Sequence, residues 1–166
     1  MTRALQPFVV ITHVVATWFM VGLIWTIHVV HYPLFAEVGD AAYVGFQAAH
    51  VDRIGPLLAV PWAIEGLTAA VILFGAVTSH DRSFLVPAVL GAAAMGVVLV
   101  VSGFWSAPAH GELADGFDPD VHARLMTADL VRTLAWTIRG GCAVWMASLL
   151  FRRSGSPAMS MSESPE

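Results

Sequence analysis

Long apolar runs dominate the chain, and most charged residues are collected in the short stretches between them. A helix needs about 20 mostly apolar residues to cross the hydrocarbon core of a bilayer. Runs at about 8–30, 56–78, 84–107 and 129–151 meet that requirement. They predict an all-α fold, a bundle of four transmembrane helices. Before the second run, residues 40–53 carry apolar positions at helical spacing and predict an amphipathic helix at the interface in the first outer loop, capped by Asp40. Asp118-Pro119 reads as an N-cap followed by Pro at the first helical position, so the fourth helix is expected to begin near Pro119 and project outward. The Ser- and Pro-rich stretch 154–166 predicts a disordered tail, which leaves 1–153 as one domain.

Arginine placement sets an expected direction, because the chain has no lysine. Arg3, Arg82, Arg152 and Arg153 flank the ends that share one side if four spans alternate. The opposite loops hold Arg53 and Arg124 among many acidic residues. The positive-inside rule then puts both termini in the cytoplasm of a bacterial inner membrane. Composition agrees with membrane residence: 57% of residues are hydrophobic and only 12% charged. A net charge of -4 argues against nucleic-acid binding. The expected partners are the lipid bilayer, a lipophilic small molecule and further copies of the chain. Cys142 stands alone in an apolar stretch and reads as a buried thiol.

Ionisable residues inside a span are costly and call for an explanation. Glu65 and Arg139 each lie roughly 15 Å from the outer side at 1.5 Å of rise per residue, which predicts an ion pair between them. Arg132 lies one heptad earlier on nearly the same face as Arg139, with Asp129 and Glu65 as candidate partners. Five of the seven histidines fall at the outer ends or in the outer loops: His28, His31, His50, His110 and His122. His28 and His31 share a face at i, i+3 spacing, and Ser102, Ser106 and His110 form an i, i+4, i+8 stripe. Imidazole is a common ligand of transition metals and of haem iron. This pattern makes His28, His31, His110 and His122 candidate cofactor ligands, with His50 and Glu65 as further metal ligands. The cofactor would be haem or an Fe, Cu or Zn ion. Glu65, Arg132 and Arg139 are the candidate catalytic group. His13 and His80 lie toward the other end, and His80 reads as a solvated loop residue.

The run from Ile24 through His28, His31, Tyr32 and Pro33 to Phe35 resembles the signature of a group of uncharacterised small four-helix bacterial membrane proteins. His50 to Arg53, Glu65, Pro108 with His110, Gly116-Phe117-Asp118 and Arg132-Thr133 with Trp136 resemble the rest of that pattern. The Pro and His after the third span and the Arg-Thr pair in the fourth are also similar to the anthrone oxygenase-like membrane family. That similarity implies oxidation of an aromatic or polyketide-like substrate. Together these features support a membrane-embedded metal- or haem-binding protein, an oxidoreductase acting on a lipophilic or aromatic substrate near the outer face. A proton-coupled transporter or binder, and a scaffold with structural ion pairs, stay open as alternatives, so enzyme activity is not decided at this stage.

Overall fold

The computed structural model describes residues 6–79 and 82–154; Arg3, His80 and all but the first residue of the expected tail at 154–166 lie outside them, and that first residue, Ser154, ends a helix. Helix α1 (Gln6–Thr26) leads through a wide π-type turn (Ile27–His31) into a short 3-10 turn (Pro33–Glu37). Helices α2 (Asp40–Thr78), α3 (Arg82–Val101), α4 (Ala107–Leu113) and α5 (Pro119–Ser154) follow, and a second π-type turn (Ser102–Ser106) joins α3 to α4. Four helical stretches are long and apolar enough to span a membrane, 6–37, 40–78, 82–113 and 119–153. This is the all-α, four-span bundle expected from the apolar runs. One end of the bundle carries the connections around 32–39 and 114–118; the other carries Gln6, Thr78, Arg82 and Ser154, the helix ends at that side. We call these the loop end and the terminal end.

Local chemistry accounts for the boundaries. The Asp118 carboxylate accepts from the backbone N–H groups of Asp120 and Val121 at 2.8 and 3.0 Å, so α5 starts at Pro119 as the sequence predicts. Gly116 just before it has φ of 149°, a conformation that favours glycine. At the start of α2 the cap is Gly39, not Asp40, which is the first helical residue. The amphipathic segment after Asp40 is helical, but no break separates it from the second span. The helix runs on through Pro56 and Pro61, and its part at the loop end turns Tyr43, Gln47 and His50 into the bundle, where all three are buried.

The π-type turns set the direction of the side chains that follow them. In the first, the Tyr32 N–H donates to the Ile27 carbonyl at 2.9 Å, so one extra residue is accommodated and the following side chains rotate. In the second, the Ala107 N–H reaches the Ser102 carbonyl. Both turns sit at the same level, toward the loop end. Helix α5 is the central packing partner, lying against α1, α3 and α4. A Cβ at Gly140 would lie 3.2 Å from Val21 and 3.3 Å from Trp18, so glycine lets α1 and α5 approach closely there.

Candidate functional site

Two separate polar layers are buried between the helices. The first lies near the middle of the spans. Glu65 and Arg139, 0% and 2% exposed, form the expected ion pair. Arg139 also donates to the Gly91 carbonyl and lies 5.4 Å from the Trp136 ring centroid. Thr17 donates to Glu65 at 3.4 Å. His13 belongs to this layer too, 3.9 Å from the Glu65 carboxylate. The Thr68 hydroxyl points its proton at the carbonyls of Ile64 and Glu65 (2.8 and 3.0 Å), so it accepts from His13 Nδ1–H at 3.0 Å.

The second layer lies toward the loop end and gathers most of the predicted residues. Asp129, fully buried, accepts from Arg132 at 2.6 Å and from His28 Nδ1 at 3.1 Å. The Tyr32 hydroxyl sits beside Arg132 and 2.9 Å from His110 Nε2. Gln47 Nε2 donates to His110 Nδ1 at 3.0 Å and to the His110 carbonyl at 3.2 Å. With Nδ1 accepting, His110 carries its proton on Nε2 and donates it to Tyr32. Tyr32 therefore receives hydrogen bonds from His110 and faces a guanidinium, while its own proton is committed to no protein acceptor among the described residues. His31 Nε2 and His50 Nδ1 are 2.9 Å apart, and the His50 and His110 rings lie 5.2 Å apart between centroids. His122 Nε2 donates to the Tyr32 carbonyl at 2.8 Å, which fixes the backbone of the π-type turn.

A cavity of about 170 Å³ opens against this layer. Its apolar wall comes from Met20, Ile24, Ile27, Leu58, Val98 and Trp136, and its polar part from Tyr32, Trp62, Ser102, Ser106, His110 and Arg132. Four of those lining residues have a buried polar atom with no hydrogen-bond partner: Trp62 Nε1, Ser102 Oγ, Ser106 Oγ and Arg132 Nε. Buried polar atoms are normally satisfied, so four exceptions around one cavity require an explanation.

The predicted site residues thus divide. Glu65 and Arg139 stand apart from the histidine layer, while Arg132 belongs to it through Asp129. His28 and His31 do not act as a pair: the π-type turn sends His28 to Asp129 and His31 to His50. His50 is buried between His31 and His110 instead of standing at the periphery. Among the described residues, no group of three or more His, Cys, Asp or Glu side chains is placed to hold a metal ion. Tyr32, Gln47 and Trp62 join the site although none was a candidate site residue in the sequence, because their roles depend on contacts across distant parts of the chain. Comparison of the chain with protein-family models, with curated proteins and with solved structures returns no match.

Proposed function

We propose that the chain is a membrane-embedded binder of a lipophilic carbonyl compound, with Tyr32 as a group that donates a hydrogen bond to the ligand oxygen. The observation that carries this reading is the convergence of unpartnered polar atoms on one cavity. Arg Nε and Trp Nε1 can only donate, and a Ser hydroxyl can donate as well. The complementary ligand offers acceptor oxygens. The volume is close to that of an apolar cavity of about 150 Å³ that accommodates benzene, so a single ring is the fitting scale. The Tyr32 proton, free of a protein acceptor among the described residues, can be donated in a hydrogen bond to the ligand oxygen, while His110 Nε2–H and the Arg132 guanidinium hold the phenol oxygen in place. Arginine placement favours termini in the cytoplasm and hence a site toward the outer face of the bacterial inner membrane.

Binding of methyl-benzoquinone to the protein in lipid nanodiscs tests the reading. Tyr32→Phe and Ser106→Ala are each expected to weaken binding roughly fivefold, the effect of one neutral hydrogen bond at about 1 kcal/mol. Absence of saturable binding, or variants indistinguishable from the wild type, would sink it.

A second reading is favoured by the three imidazoles. His31, His50 and His110 come from three chain segments, and His50 Nε2 is buried without a partner. A transition-metal ion held there would add Lewis-acid or redox chemistry beside the ligand oxygen, in keeping with an oxidoreductase. Binding would require the His31–His50 hydrogen bond to open. The ring-sized cavity suits an ion better than a haem macrocycle. Elemental analysis of protein purified in mild detergent should show one Fe, Cu or Zn per chain, lost in His50→Ala. A folded, metal-free wild type refutes this second reading and leaves the first intact.

A further inference from the structure

Helix α2 is the least packed of the four spans: 11% of its apolar window is buried, against 39% or more in each of the others. From residue 51 to residue 64 it has no buried residue, although Ile54, Leu58 and Trp62 from this stretch line the cavity. Pro56 and Pro61 lie in the same stretch, and each lacks the N–H that would bond the carbonyl four residues earlier. The wall between the cavity and the bilayer is therefore thin and weakly held at this level.

Farther toward the terminal end along the same two helices lies a second hollow, an apolar groove of about 350 Å³ between α1 and α2. Val15, Ala16 and Phe19 form one bank, and Val60, Pro61 and Ile64 the other. The groove and the cavity use neighbouring residues of the same two helices: Phe19 beside Met20, and Pro61 beside Trp62. One hollow is rich in unpartnered donors and ring-sized; the other is apolar, elongated along the helices and open to lipid.

Resting on the cavity reading above, we propose that the ligand is a chain-bearing lipid, its oxygen-bearing ring in the cavity and its hydrocarbon chain in the α1–α2 groove. The chain passes between α1 and α2 where α2 has no buried residue. Because groove and bilayer are both apolar, the chain gains little from transfer and acts mainly by packing and by tethering the ring at the cavity.

Two probes in nanodiscs separate the possibilities: methyl-benzoquinone and decyl-benzoquinone, with affinities expressed per lipid. Val15→Trp and Val60→Trp fill the groove at positions that are 65% and 64% exposed, where a larger side chain disturbs no core packing. Each variant is expected to weaken the decyl probe about tenfold while changing the methyl probe less than twofold. A decyl probe carrying a photoreactive group at the chain end should label residues within 11–19 or 60–64. Equal losses for both probes, no loss for the decyl probe, or labelling elsewhere would overturn the chain proposal and leave the cavity reading standing. If neither probe binds the wild type, the cavity reading falls and the chain proposal falls with it.

Discussion

Glu65→Leu is expected to destabilise the folded bundle by about 3 kcal/mol or more, and Arg139→Leu by a similar amount, because each strands the other's buried charge. Without Glu65, the Arg139 guanidinium keeps, among the described residues, the Gly91 carbonyl and the face of Trp136. Without Arg139, the Glu65 carboxylate keeps, among the described residues, Thr17 and the neighbourhood of His13. Neither group can reach water from the middle of a span, and 0% and 2% exposure leaves no route for a side chain to snorkel. The Glu65→Leu, Arg139→Leu double variant should recover most of the loss, since replacing a buried pair with apolar groups of similar size is often neutral or favourable. Unfolding in mixed micelles across this double-mutant cycle measures the coupling. Single variants as stable as the wild type would show that the pair does not hold the helices together.

The pair was legible in the sequence because depth alone determines it. Two opposite charges at the same depth on parallel spans have few other ways to remain in the membrane. The spans were legible for the same reason: the hydrocarbon thickness sets a length that residues 8–30, 56–78, 84–107 and 129–151 all meet. The start of α5 followed from a short-range rule, the Asp118 side chain bonding the next N–H groups.

Features that depend on tertiary contacts were not legible. Pro56 and Pro61 suggest a boundary, yet α2 runs through both, held at its loop end by the burial of Tyr43, Gln47 and His50. The i, i+3 spacing of His28 and His31 implies a common target. A single inserted residue in the π-type turn divides them, and no pattern rule forecasts that insertion. The Ser102, Ser106 and His110 stripe does identify one wall of the cavity, although the second π-type turn interrupts its regular spacing. Tyr32 and Gln47 acquire their roles through His110, 78 and 63 residues away in the chain. His13 lies in the Glu65 layer because α1 and α2 are adjacent, a fact that spacing along one helix does not contain.

The two buried ion pairs should respond differently once stability is set aside. An Asp129→Leu, Arg132→Leu double variant removes both charges of the loop-end pair, so the bundle is expected to fold, as it should for the Glu65, Arg139 pair. Its affinity for methyl-benzoquinone, however, should fall roughly 10- to 100-fold, the cost of a hydrogen bond from a charged donor at about 1.5–3 kcal/mol. The Glu65→Leu, Arg139→Leu variant should bind the same probe within about twofold of the wild type, because neither residue lines the cavity. Arg132→Lys in the wild-type background separates charge from geometry. It keeps a cation opposite Asp129 but has no planar group with an Nε donor, so stability should be largely retained while affinity remains depressed. If the loop-end double variant binds the probe normally, Arg132 is a second structural charge and the donor set of the cavity reduces to Ser102, Ser106, Trp62 and Tyr32. If the mid-span double variant also loses the probe, the two layers are coupled through Trp136, which touches Arg139 on one side and lines the cavity on the other.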